Sequence, residues 1–392
     1  MLRAMICLPL LCLGVLGPVP CARSRKFFRA PFHRFRPAPI ALGRSASAMA
    51  QGVSPLDTAH QGPIHAAQLD HFGRQLATAS ADGTVRVWDV ETRCFKAELR
   101  GHDEKLVRDV AWAHPMHGGI LASAGEDKHV VFWKEAADGE WCEIYRHRIE
   151  GAALAIAFAP WEYGFELAVG SSDGKVVIVS LKGNLVGYSR QTVEGISEVG
   201  GWEDERFNAH EGGTFAVCWA PAMAPSVPDN IAAWAKIGNL SAYDRRLVTG
   251  GADSQVRIWR HDEINSRWDS ATPPDFGEHA DWIRDVAWRP NVGIPSNTIA
   301  SCGEDGTVVI WMQPQVEQHW ARQKTFELDA AAWQLSWSLT GSILAVSTSK
   351  NEVVLFKESL EGTWERVEAF NEQAAEDSPA HPPTSSPVRG EV

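Results

Sequence analysis

A nine-residue phrase, ADGTVRVWD at 81–89, returns five more times along this chain, and that recurrence limits the fold more than any other feature. The later copies read EDKHVVFWK (126–134), SDGKVVIVS (172–180), ADSQVRIWR (252–260), EDGTVVIWM (304–312) and SKNEVVLFK (349–357). In the first five an Asp stands six residues before the closing position: Asp82 before Trp88, Asp127 before Trp133, Asp173 before Val179, Asp253 before Trp259, Asp305 before Trp311. An acidic turn followed by alternating β-branched residues predicts a hairpin and its second strand. A spacing of roughly 45 residues between copies, filled with short strands, predicts four-stranded blades set around an axis. One such unit cannot bury its apolar face alone, so neighbours must stack.

The strands before each phrase repeat as well. Inner strands read VRDVAWAHP (107–115), ALAIAFAP (153–160), FAVCWAP (215–221), IRDVAWRP (283–290) and WQLSWSLT (333–340). Their alternation suits a strand packed on both sides. Second strands follow as LATAS (76–80), LASAG (121–125), LAVGS (167–171), LVTGG (247–251), IASCG (299–303) and LAVST (344–348). A histidine opens five repeats: His60, His102, His147, His210 and His279. Four have a hydroxyl four residues before the Asp, at Thr78, Ser123, Thr249 and Ser301. This assigns four tetrads: His60, Thr78, Asp82, Trp88; His102, Ser123, Asp127, Trp133; His210, Thr249, Asp253, Trp259; and His279, Ser301, Asp305, Trp311. A buried turn carboxylate needs donors, and the histidine and hydroxyl supply them while the indole N–H joins the same network. The third repeat has Val169 and Val179 instead, and the sixth has Lys350 and Phe356, so both are expected to rely on apolar packing.

Counting strands predicts an open ring. Outer strands are assigned to 94–99, 141–146, part of 185–208, part of 267–276, 320–327 and 364–370, and a further extended segment, VSPLDT at 53–58, precedes the first inner triplet. Six triplets then meet seven outer strands, and 53–58 waits for a triplet the chain lacks. Unpaired edges and exposed blade faces of this kind mark a partner site, filled by strand addition. Burial on the order of 1,500 Å² there, at about 25 cal/mol/Å², offers tens of kcal/mol before the cost of association. The expected walls are Trp333, Leu335 and Trp337 on the sixth blade and Ile64 and Ala66 on the first, with Val53 and Leu56 pairing with the donated blade. A ring of six blades closed on itself is the competing arrangement.

The chain resembles the Sec-thirteen family, the WD-repeat propeller subunits of the COPII outer coat. The repeat phrases alone are shared by propellers of many functions. The resemblance is carried by WAHPMHGGILASAGEDKHVVFWK (112–134), HADWIRDVAWRPNVGIPSNTIASCGEDGTVVIW (279–311), DAAAWQLSWSLTGSILAVS (329–347) and HQGPIHAAQLDHFGRQLATASADGTVRVWD (60–89). It covers roughly 52–370 and implies an all-β, six-bladed open propeller whose seventh blade comes from a partner. The implied partners are a coat α-solenoid subunit and, in the nuclear-pore Y-complex, a scaffold nucleoporin. The implied role is a structural one in ER-to-Golgi transport, on the cytoplasmic face of the endoplasmic reticulum and at the nuclear pore. A related nucleoporin propeller and a generic WD-repeat adaptor are the alternatives.

The remaining features mostly exclude. Residues 1–56 hold eight Lys or Arg and no acid, leaving 29 basic against 49 acidic residues in the rest, a balance of −20. Such a body repels phosphate backbones, which argues against nucleic-acid binding. No Gly-rich phosphate loop, GxSxG or HExxH occurs, and the histidines fall at repeat starts, so no catalytic residue, cofactor or metal ligand is assigned. Asp109 and Asp285, in the two RDVAW runs, are expected at turns or rims. Trp282 and Tyr163 are candidate rim contacts. Cys94, Cys142, Cys218 and Cys302 lack CxxC spacing and are expected to be single buried thiols. The domain itself is assigned to 49–370. Residues 1–48 join an apolar stretch (6–17) to an Arg-rich, acid-free one, the composition of a signal or transit leader with a secretory or plastid address, or an upstream extension ahead of Met49. Residues 371–392 lack apolar periodicity and are expected to be a disordered tail. Contact with a membrane is expected only indirectly, through the coat.

Overall fold

The computed structural model describes residues 56–371 except 137, 183–200, 223–243, 263, 274–275, 291–295, 315–318 and 360. The leader, Val53 and 372–392 lie outside the described residues, as do most of two long stretches between strands, 181–208 and 221–246. Among the described residues there are 24 strands and two 3-10 turns, at Pro115–His117 and Trp161–Tyr163.

The strands form six antiparallel four-stranded sheets, each in simple sequence order. The first blade is β1 (Ile64–Leu69), β2 (Gln75–Ser80), β3 (Thr84–Asp89) and β4 (Phe95–Arg100). The second is β5 (Val107–Trp112), β6 (Ile120–Gly125), β7 (His129–Glu135) and β8 (Trp141–Arg148). The third is β9 (Ala153–Phe158), β10 (Phe165–Ser171), β11 (Lys175–Leu181) and β12 (Trp202–Asn208). The fourth is β13 (Thr214–Trp219), β14 (Arg246–Gly251), β15 (Val256–Asp262) and β16 (Arg267–Ser270). The fifth is β17 (Ile283–Trp288), β18 (Asn297–Gly303), β19 (Thr307–Gln313) and β20 (Ala321–Glu327). The sixth is β21 (Ala332–Trp337), β22 (Ile343–Thr348), β23 (Glu352–Glu358) and β24 (Trp364–Asn371). All six proposed outer strands exist, the third beginning only at Trp202. Of the segment at 53–58, residues 56–58 are described. Residues 56–60 form no strand. A strand is defined by its ladder, and among the described residues no sheet edge pairs with 56–60.

The phrase that recurs in the sequence is the turn between second and third strands. The residue after the Asp takes a positive φ in the first five blades: Gly83, Lys128, Gly174, Ser254 and Gly306, with Asn351 in the matching place of the sixth. Glycine has no Cβ penalty there, and Asn tolerates the region, which explains the frequent Asp-Gly.

Five apolar clusters hold the ring together, and each spans one seam between consecutive blades. Ala77, Val87 and Leu99 of the first blade meet Val110, Val131 and Trp133 of the second. Phe132 and Ile144 meet Val169, Val177 and Val179. Ala168 and Ile178 meet Trp219, Leu247 and Trp268. Val248 and Ile258 meet Val286, Val309 and Trp311. Ala300 and Ile310 of the fifth meet Leu335, Leu344 and Phe356 of the sixth. Among the described residues no cluster joins the sixth blade to the first, and β21 packs on β17 but has no comparable packing on β1. The ring is open.

Candidate protein-docking site at the open edge

The tetrads set each blade's stiffness. In the second blade His102 Nδ1 lies 2.9 Å from Asp127 Oδ1 and Nε2 lies 2.7 Å from Ser123 Oγ, while Trp133 Nε1 donates to the same Oγ at 2.9 Å. One tautomer links the four side chains: indole N–H to hydroxyl, hydroxyl to Nε2, Nδ1–H to carboxylate. The fourth blade repeats this with His210, Asp253, Thr249 and Trp259 at 2.7–2.9 Å. The fifth repeats it with His279, Asp305, Ser301 and Trp311 at 2.8–3.1 Å. Burial alone would raise Asp82, Asp127, Asp253 and Asp305. Hydrogen bonds from their histidines and from neighbouring donors outweigh it and hold all four below the usual carboxylate range.

The first blade departs. His60 reaches Asp82 and Thr78 at 2.9 Å, yet Thr78 Oγ1 donates to Arg86 O and the Trp88 indole N–H is buried without a partner. His147 does not open the third blade. It sits in β8, the outer strand of the second, with its Nδ1 3.2 Å from the Tyr145 hydroxyl. The third blade packs Val169 and Val179 in the core, beside an aromatic group of Phe132, Tyr145, Phe165 and Trp202. The sixth buries Val346 and Phe356, whose ring stacks on Phe326 at 4.1 Å.

Closed seams are also clipped by hydrogen bonds. Asp109 lies within β5, not at a turn or rim, and its Oδ2 accepts from Ile156 N of the next blade. Asp285, within β17, does the same for Leu335 N. Burial raises both carboxyls to about 7, against the pull of the backbone N–H donors. The two are close enough to feel each other's charge. Indole N–H groups add a second clip: Trp112 to Gln68 O, Trp219 to Ala157 O and Trp337 to Ala287 O, at 3.0–3.2 Å.

These clips relocate the expected wall of the gap. Leu335 and Trp337 face the fifth blade, and Trp333 covers Arg284 of that blade at 4.8 Å. Ala66 is core between the first and second blades. Alternate residues of one strand point to opposite faces, and these four lie on the closed side. Ile64 remains half-buried and, among the described residues, outside every cluster, in register with Ser80. Leu56 is half-buried in the non-strand segment. Tyr163 is locally packed, its hydroxyl donating to Asp244 O. Trp282 is exposed, and so is Cys94, contrary to expectation, while Cys302 is buried.

The sixth blade's gap face is a row the sequence argument missed. Cross-strand register aligns Ala345 with Leu355 and Leu355 with Val367, and Ser347 with Val353. These positions match Ala77, Val87, Ala97, Ala79 and Val85 of the first blade, which pack forward onto the second. The first blade's opposing face carries Leu76, Arg86, Trp88 and Phe95. Exposure rises outward on both sides: Ala345 is buried, Leu355 half-buried and Val367 41% exposed, while Leu76 is buried and Phe95 51% exposed. Both walls of the gap are therefore most accessible at the outer strands. Arg86 pairs with Glu98 at 3.0 Å and donates to Thr58 O at 2.8 Å, which ties the non-strand segment to this face.

Three comparisons bear on this arrangement. The family model for the WD domain, G-beta repeat, matches residues 53–89, 93–134 and 273–312. The Protein SEC13 homolog of Drosophila melanogaster is 37% identical over 334 residues, covering 84% of this chain and 87% of that protein. Protein transport protein SEC13 of Cryptococcus neoformans var. neoformans is 36% identical over 349 residues, covering 83% and 99%. Protein transport protein sec13 of Aspergillus clavatus is 36% identical over 323 residues, covering 79% and 100%. Among solved structures, a chain from the Crystal Structure of Mitotic Checkpoint Complex matches with a TM-score of 0.55 at 17% identity, covering 79% of each chain, a likeness of fold alone.

Proposed function

The chain belongs to the SEC13 family of WD-repeat proteins, and we propose that it acts in protein transport as a non-catalytic scaffold whose open ring is completed by a blade from a larger α-solenoid coat subunit. The observation that carries this is the count of seams: five apolar clusters for six blades, with an aligned row of apolar side chains left at the sixth. A partner's blade would pack its faces on the two walls, and the segment at 53–58 would add to its edge by β-augmentation. The same geometry serves a scaffold nucleoporin of the nuclear-pore Y-complex, because main-chain pairing asks little of the donor's side chains. A place on the cytoplasmic face of the endoplasmic reticulum and at the nuclear pore goes with this role.

The test is purification of the tagged full chain from its native cell, beside the double variant Leu355→Asp, Val367→Asp. The wild type should bring down a coat subunit containing an α-solenoid in near-equal amount, and the variant should lose it by at least about a hundredfold, since two buried charges oppose the donated strands. A wild-type chain that purifies alone and monomeric, or a variant that retains the partner, would overturn the proposal.

A further inference from the structure

At the end of the ring that carries the tetrads, three blades contribute to one exposed cluster. Arg284 of β17 lies 4.8 Å from the Trp333 ring of the sixth blade, 5.5 Å from the Phe215 ring of the fourth and 5.6 Å from that of Trp282 in its own blade. Trp282 is 46% exposed and Trp333 38%. Arg284 donates through Nε and Nη2 to Glu304 Oε1, and among the described residues its Nη1 has no acceptor. Two exposed indoles flanking a guanidinium with a donor to spare form a surface that takes a proline on the rings and a carboxylate on the cation.

The chain itself supplies such a ligand. β24 ends with Asn371 opposite Glu352, beside the turn that joins β22 and β23. Ala332, next to Trp333, pairs with Thr348 at that same turn. The last described strand therefore leaves the fold at the cluster's own end of the ring, from the blade that holds Trp333. From outer to inner strand is three spacings, about 14 Å. The sequence that follows, EQAAEDSPAHPPTSSPVRGEV, puts Glu376 and Asp377 five and six residues beyond Asn371, then Pro379, Pro382 and Pro383. Glu376 to Pro383 can reach roughly 16 to 40 Å, at about 3.3 Å per residue. Its first acids precede any base, so its charge complements Arg284.

We propose that residues 376–383 of this chain dock on its own cluster of Phe215, Trp282, Arg284 and Trp333, prolines on the indoles and an acidic side chain on Arg284, so that the chain's own C-terminal segment caps this end of blades four to six. Tethering makes even a weak contact populated, because a short linker gives the segment a local concentration of about a millimolar.

The experiment places a photo-crosslinking amino acid at Ala380 in the full chain. Cross-links should form within one chain, to peptides containing Trp282 or Trp333. Arg284→Glu, and separately the double change Pro382→Ser, Pro383→Ser, should each reduce the yield about tenfold, the factor for a contact worth about 1.4 kcal/mol. The proline variant lies beyond the ring, so its effect cannot come from misfolding of the blades. Cross-links elsewhere on the ring, links between isotopically distinct chains, or yields unchanged in the proline variant would each overturn the proposal.

Discussion

The seam between the fifth and sixth blades and the gap between the sixth and first begin from the same kind of sheet and end differently. At the closed seam, Leu344 and Phe356 are buried against Ala300 and Ile310, and Leu335 N and the Trp337 indole are bound to the fifth blade. On the sixth blade's other face, Ala345, Leu355 and Val367 form an equally regular row that belongs to no apolar cluster among the described residues. Apolar pattern alone does not separate a core from a docking face; the presence of a next blade does.

That contrast can be broken with one substitution on each face. Leu344→Asp places an unpaired charge in the closed seam and should abolish cooperative folding, a loss of more than about 4 kcal/mol. Leu355→Asp, eleven residues on and on the opposite face, should leave the melting temperature of the free chain within the shift of about 1 kcal/mol. Equal losses by calorimetry would mean the gap face is already core. A middle-sized effect separates the tetrads. Thr249→Val strands both the Trp259 N–H and His210 Nε2 in a closed blade and should cost about 2–3 kcal/mol in denaturant unfolding. Thr78→Val, in the blade bordering the gap, strands His60 Nε2 and removes a long bond to Arg86 O, but leaves Trp88 as it was because that indole makes no use of Thr78, and should cost about 1 kcal/mol.

The smallest effect depends on pH. Asp285 has a folded pKa of about 7 against an ordinary 3.8, raised by burial and by Asp109, and lowered in part by the Leu335 and Val286 N–H groups. A folded pKa above the unfolded one means the folded state keeps a proton the unfolded state gives up. Stability from this group is full below about pH 4 and is lost as pH rises through 7. Asp285→Asn keeps an acceptor for Leu335 N and removes the titration. The variant should show a flatter decline in stability between pH 4 and 8. A parallel pH profile would mean that the carboxylate is already well solvated.

The tetrads were legible in the sequence because each needs four residue types at fixed offsets, and twelve of the sixteen atom-level contacts' participants sit in complete networks in blades two, four and five. The open ring was legible too, since six triplets are a matter of counting. The wall of the gap was not. Alternation along WQLSWSLT says that Trp333, Leu335 and Trp337 share a face, but it does not say which neighbour that face meets. That depends on strand direction and sheet twist, and it emerges only by setting the sixth blade in register with the first. Leu56 raises a different matter: a strand is a relation between two segments, and among the described residues no segment pairs with 56–60. His147 misled because a histidine near a repeat boundary looks the same whether it begins one blade or ends another.

The exposure gradient has a consequence for selection among occupants. In the proposed role, a lone helix or a single strand would cover one part of the gap, whereas a sheet would cover both walls at once, from Ala345 to Val367 and from Leu76 to Phe95. Because the flanking blades hold their own strand order, the ring would act as a socket, and different plugs would be exchanged without refolding what receives them.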